Sequence, residues 1–427
     1  MARTREVYYY DYPGDFGLSG LAGTLYSRTP LRLDGPVVLA LAAAEAADDD
    51  HQLGRDVRLL LASPLSDEVL HAVWLAAVRR CFDPVEEGTD TRTWLRRVSQ
   101  VCPPRTPKRD PYEAKTLDEA RPRVPEEELQ TTVAAQIESA AAGLERCVAV
   151  TDIVPALLRV VREADADLGF RLFLRVLKAY SVPTDEALYG RLLRTGELLA
   201  YALATVHEEL NVRWPPIDPG RRDFMLGRFG LPMLAAVFHG TDWQYHGTVR
   251  KNIQHLADDG GGRVPGSYAA VLLEDAQRLI DSSLSDEAVT ALWRTASARS
   301  YVGDAFDANG RTWLEQVAHV CRERLTEVDP VYTPFLSPAR TDLTETVLRE
   351  VREAVHALPV EMQGATRSLE DVVTTVDPDL GFRFLLQVLA TYDVPVTDAQ
   401  RTRYQALADQ LGYSPDHLDD RLPRRPH

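Results

Sequence analysis

Apolar residues recur every three or four positions along most of the chain. Tyr268, Val271, Leu272, Ala276, Leu279 and Ile280 fall on one face of a helix, the pattern of an amphipathic helix with one side inward. Trp313, Val317, Val320 and Cys321 mark another, and Trp94, Val98, Val101 and Cys102 repeat it earlier in the chain. Start signals fit these faces. Ser66 precedes Asp67-Glu68 and Ser285 precedes Asp286-Glu287, so a serine oxygen can accept a free backbone N–H while the acids complement the helix dipole. Thr397 with Gln400 has capping-box spacing for a helix from Asp398 to Leu411, closed by Gly412. A further helix is predicted from about Leu380 to Tyr392, with Phe384, Val388 and Leu389 inward and Val394-Pro395 as its stop. Strand-like alternation is scarce, and the expected fold class is all-α.

The pattern also repeats at long range. Asp165 to Pro183 (DADLGFRLFLRVLKAYSVP) and Asp377 to Pro395 (DPDLGFRFLLQVLATYDVP) share 12 of 19 positions, where chance supplies about one. Leu65 to Trp74 matches Leu284 to Trp293, and Arg92 to Cys102 matches Arg311 to Cys321. The order is kept, at spacings of 219, 219 and 212 residues. These blocks imply a tandem duplication of one helical unit, each unit made of two small helical modules. Proline-bearing stretches separate the modules: Cys102 to Lys115 in the first copy, and the DPVYTPFLSP run after Cys321 in the second. Asn211 to Arg222 (NVRWPPIDPGRR) reads as the linker between units. The expected modules are 1–108, 109–210, 211–327 and 328–427, with a frayed tail from Arg421 to His427.

Composition narrows the function. The chain of 427 residues is 45% hydrophobic and 26% charged, ordinary globular values that permit sizeable cores. No stretch approaches the ~20 apolar residues that span a bilayer. The opening residues lack an apolar signal core, and Cys81, Cys102, Cys147 and Cys321 form no CxxC pair, which favours free buried thiols. A cytoplasmic setting is expected, in an organism with a GC-rich genome, since Ala, Arg and Asp abound and Lys is rare. A formal net charge of −16 argues against general nucleic-acid binding and would steer a basic protein partner. It also serves solubility.

His239, Asp242, Trp243, Tyr245 and His246 form the densest polar-aromatic cluster in the chain. As a metal site it lacks HExxH or HxH spacing, and no metal or cofactor is expected. Trp243 and Phe238 suit a core, with Asp242 capping a helix. Alternatively the cluster is a partner-contacting patch, since Trp and Tyr are favoured interface anchors. Trp74, Trp293, Trp94 and Trp313 read as core. Asp165/Asp167 and Asp377/Asp379 are carboxylate pairs before a helix, read as caps, with Arg171 and Arg383 at salt-bridge spacing of modest worth. Gly260 to Gly262 lacks the Lys-Ser/Thr of a phosphate loop. There is no GxSxG motif and no Cys-His constellation, so no catalytic residue is assigned and an enzyme is not expected.

Two families enter through particular residues. The second copy, about 223–324, resembles CdiI-type immunity proteins of contact-dependent growth inhibition at Phe238, His239, Asp242, Trp243, Ser285, Asp286, Glu287, Gly310, Trp313 and Leu314. The first copy, about 10–105, is degenerate: Tyr26 to Pro30 stands where the second copy has His239 to Trp243. The other halves, about 125–201 and 343–413, look like MafI-type immunity modules. The matching residues are Asp165, Leu168, Phe170, Leu177, Tyr180, Val182 and Pro183, and Asp377, Leu380, Phe382, Leu389, Tyr392, Val394 and Pro395. The resemblance implies an antitoxin that binds a toxin domain, expected to be basic, and catalyses nothing. The alternative is a helical-repeat scaffold or regulator binding other cellular proteins. The sequence does not specify an oligomeric state.

Overall fold

A computed structural model describes residues 14–27, 33–48, 52–102, 124–222, 228–239, 242–258, 264–298, 309–355, 358, 365–413, 418 and 422. The hinge residues 103–115, Gly260 to Gly262 and most of the tail lie outside them. The fold is all-α, and among the described residues no helix is long and apolar enough to cross a membrane. The chain divides into two compact units, Met1–Trp214 and Pro215–His427, a boundary inside the expected linker.

Unit 1 contains α1 (Gly17–Ser27), α2 (Gly35–Asp48), α3 (Gln52–Ala62), α4 (Asp67–Ala77), α5 (Thr91–Val101), α6 (Glu126–Cys147), α7 (Ile153–Arg159, continued by one π-helical turn to Ala164), α8 (Ala166–Ala179), α9 (Glu186–Leu198) and α10 (Leu203–His207). One two-residue parallel pairing, β1 (Thr184–Asp185) with β2 (Val212–Arg213), fastens the start of the linker to unit 1. Unit 2 contains α11 (Gly230–Val237), a 3₁₀ turn (Asp242–His246), α12 (Val249–Asp258), α13 (Ser267–Asp281), α14 (Asp286–Ala296), α15 (Gly310–Val328), α16 (Thr344–Val355), α17 (Ala365–Thr375), α18 (Pro378–Thr391) and α19 (Asp398–Gln410). The matched sequence blocks fall on α4 and α14, α5 and α15, and α8 and α18.

Each unit has one continuous apolar core. In unit 1 it draws on residues from Phe16 to Val206, and in unit 2 from Phe229 to Leu422. Both expected modules of a unit therefore contribute to the same core. At its centre runs a helix that the apolar surroundings bury almost completely, α8 in unit 1 and α18 in unit 2. Cys102 and Cys321 are buried free thiols, and burial pushes the Cys321 thiol well above its ordinary range.

The acids before these helices do more than cap. Asp165 and Asp377 are N-caps, accepting from the backbone N–H of Leu168 and Asp379. Asp167 and Asp379 instead lie inside, each accepting a hydrogen bond from a tyrosine hydroxyl, Tyr201 and Tyr413. The expected i,i+4 bridges form, Asp167 with Arg171 at 3.6 Å and Asp379 with Arg383 at 2.9 Å, but the modest worth expected of them needs correction. Those arginines are buried, and their main partners are remote: Arg171 forks onto Asp56 at 2.5 and 2.7 Å, and Arg383 onto Asp275 at 2.6 and 2.7 Å. Burial alone would favour the neutral guanidinium. The facing carboxylates outweigh it and hold both arginines charged, with pKa well above the ordinary value. Asp56 and Asp275 each also accept from a backbone N–H, that of Leu18 and of Leu231, both at 2.9 Å, and Asp56 accepts again from Gln52 Nε2 at 2.7 Å. Gly17 and Gly230 stand beside them at φ +61° and +67°, where a Cβ would collide with the carboxylate. The pair thus ties the first helix, the third helix and the central helix of each unit together.

Two terminal signals also differ from expectation. Ser285 caps Ala288, but the side chain of Ser66 makes no such bond at the same place. The central helices end before their Val-Pro pairs. Ser181 (φ +46°) and Asp393 (φ +49°) turn left-handed, and the next N–H closes back on Leu177 and Leu389, a Schellman-type end without glycine. The capping box at Thr397 and Gln400 forms, and Gly412 follows at φ +73°.

Candidate interaction surface

The predicted cluster sits where α11 gives way to α12. Phe238 ends α11 with its ring buried, and His239 is exposed. Trp243 turns inward: its ring meets Phe238 edge-on at 5.2 Å. Phe238 in turn stacks against Trp293 at 6.2 Å and Trp313 at 5.9 Å, and those two indoles meet at 5.2 Å. Such edge-to-face contacts add to simple burial. The buried Asn252 of α12 donates from Nδ2 to the Trp243 carbonyl at 3.2 Å and to the Thr248 carbonyl at 3.0 Å. The short helix is thereby fixed to the body from both ends.

Tyr245, two residues on, is 86% exposed. The structure therefore splits the cluster, sending Trp243 to the core side and Tyr245 and His239 to solvent. The side chains of Asp242 and His246 lie outside the described residues. Among the described residues no set of three His, Cys, Asp or Glu side chains could hold a metal.

Beside this element an open groove of about 600 Å³ runs between α12 and α15. Val249, Ile253 and Val320 line it with apolar surface, while Arg250, Glu315 and His319 supply charge and polarity. Arg250 pairs with Glu323, and His319 lies 3.3 Å from the same carboxylate. Arg324 holds Asp258 at 2.8 Å. The arginine pairs join α12 to α15 at the surface. Each is worth little to stability because water screens it, so the groove is framed by charges that can exchange partners. Sequence reading missed the groove. α12 announces itself as an amphipathic helix, but nothing local says which helix it lies against.

The arrangement offers an anchored aromatic, an apolar floor and exchangeable polar rim groups, which is the anatomy of a protein-binding patch. The four matched tryptophans behave as expected: Trp74, Trp94 and Trp313 are buried and Trp293 is half-buried. No protein-family model, curated protein or solved structure matches the chain, so the likeness to immunity proteins rests on the residues quoted above.

Proposed function

We propose that the chain is an immunity protein that binds a toxin domain in the cytoplasm and neutralises it by occupancy rather than by catalysis. The observation that carries this reading is Tyr245, 86% exposed on a short helix whose neighbour Trp243 is packed against the aromatic core. A large side chain held out on a rigid mount loses little freedom when a partner covers it, and tyrosine is enriched among binding hot spots. Val249, half-buried at the edge of the groove, extends the contact area. The net charge of −16 supports fast encounter with a basic domain.

The test is co-expression with the toxin domain encoded beside the gene. Protection and a stable complex are expected from the wild-type chain, and both should weaken in Tyr245→Ala and Val249→Asp. If the wild-type chain neither protects nor forms a complex, the immunity reading fails.

A further inference from the structure

A second surface lies on unit 1, and its charge is opposite to that of the whole chain. Helices α3 and α5 pack together and carry between them Arg55, Arg58, Arg92, Arg96 and Arg97 against one carboxylate, Asp56. Asp56 is buried and consumed by Arg171. Arg92 is spent on the carbonyls of Leu61 and Leu65. Arg58, Arg96 and Arg97 are exposed, and among the described residues none of them forms an ion pair. A Cβ on Gly54 would stand 3.0 Å from Cys102 Cβ and 3.1 Å from Arg58 Nη1. The Arg58 head therefore lies at the C-terminal end of α5, where it also complements the helix dipole. One to two turns earlier, Arg96 makes only a long bond to Thr93 Oγ1 at 3.4 Å near the exposed Asp90, and Arg97 has no hydrogen-bond partner among the described residues.

The paired helices of unit 2 bear the contrast. At the positions 219 residues on, Arg58, Arg96 and Arg97 are replaced by Gln277, Glu315 and Gln316, while Trp94, Leu95 and Val98 are kept as Trp313, Leu314 and Val317. The matched core residues are kept, while three exposed arginines give way to one glutamate and two glutamines. Helix α2 (GPVVLALAAAEAAD), which packs on both α3 and α5, is apolar on nearly every side, and it leaves Val37 42% exposed. A helix apolar all round usually has a covering on each face.

We propose that the α2–α3–α5 face of unit 1 docks an acidic amphipathic helix from a protein partner, its apolar stripe lying on α2 and its carboxylates facing Arg96, Arg97 and Arg58. Arginine suits this role because its planar fork pairs with carboxylates in defined geometry. A nucleic-acid duplex offers anions to the arginines but nothing apolar to cover Val37, and protein chemistry fits both parts of the face.

The probe is a labelled synthetic helix with leucines at three- and four-residue spacing bordered by glutamates, titrated against the full chain by fluorescence anisotropy. Its partners are a lysine-bordered version and a DNA duplex. The glutamate helix should bind the wild-type chain in a salt-sensitive way, and R96E/R97E should weaken it by at least about tenfold. The lysine helix should gain affinity for R96E/R97E. Val37→Asp should weaken the glutamate helix, and Glu345→Arg on the other unit should leave it unchanged. Equal binding to R96E/R97E, loss of binding in Glu345→Arg, or preference of the wild-type chain for the lysine helix would each overturn the proposal. Preferential binding of the DNA duplex would overturn it in favour of a nucleic-acid face.

Discussion

The central ion pairs of the two units are built alike, and the exposed faces of α5 and α15 are not. Asp56 with Arg171, and Asp275 with Arg383, make the same two-pronged ion pair, beneath the same phenylalanine at 4.8 and 4.9 Å from the ring centre. Each is joined by the same glycine and tyrosine. A few turns away, α5 presents Arg96 and Arg97 where α15 presents Glu315 and Gln316. A buried charge cannot change alone, because its partner would be left uncompensated in a poor solvent. An exposed charge changes almost freely. The comparison separates what holds each unit together from what each unit can offer to others.

Breaking the likeness of the interiors should have the largest effect. Asp275→Ala removes the two-pronged partner of Arg383, leaving it Asp379 alone, and should destabilise unit 2 by about 3–5 kcal/mol, whereas the double replacement D275L/R383M should cost less. Urea unfolding followed by tryptophan fluorescence checks both, and Asp56→Ala should do to unit 1 what Asp275→Ala does to unit 2. Equal cost for the single and double variants would show that the pair is not the unit of stability.

Gly230→Ala should come next, at about 2–3 kcal/mol, because the left-handed backbone and the Asp275 carboxylate both exclude a methyl group. Acid sharpens the comparison further. Burial alone would raise the Asp379 carboxyl, but Arg383 and Arg222 outweigh it and hold it well below the usual carboxylate range. A depressed folded pKa gives stability that is present above the unfolded value of about 3.9 and lost as pH falls through the folded one. Unit 2 should therefore lose stability below about pH 4, and Asp379→Asn should flatten that dependence in acid titrations read by circular dichroism.

Smaller effects test the edges of the argument. Thr397→Ala removes the capping box of α19 and should cost about 1 kcal/mol, seen in the same denaturation curves. Tyr245→Ala should change stability by less than about 0.5 kcal/mol while weakening partner binding. A large stability loss there would mean that Tyr245 belongs to the fold and not to the surface.

Helices and their starts were legible because their causes are local. A 3.6-residue apolar period, a serine or threonine before acids, and a repeated DLGF block can all be read within a dozen residues. The pairing of Arg171 with Asp56 could not be read that way, since 115 residues separate them and nearer acids offered a simpler partner. One signal was present: Asp56 and Asp275 recur at the 219-residue spacing of the matched blocks, on a helix face otherwise apolar. At the candidate surface, the aromatic cluster was visible as composition. Its division into an inward Trp243 and an outward Tyr245 depends on a short helix pinned by Asn252, which no periodicity predicts.

The buried thiols give each unit an internal clock. Cys102 and Cys321 lie in different cores, and neither can meet an alkylating reagent until its own surroundings open. Cys81 and Cys147 are only partly covered and should be modified first. Mass spectrometry of tryptic peptides after timed alkylation would then give a separate opening rate for each unit in the intact chain, under native conditions and without a single mutation.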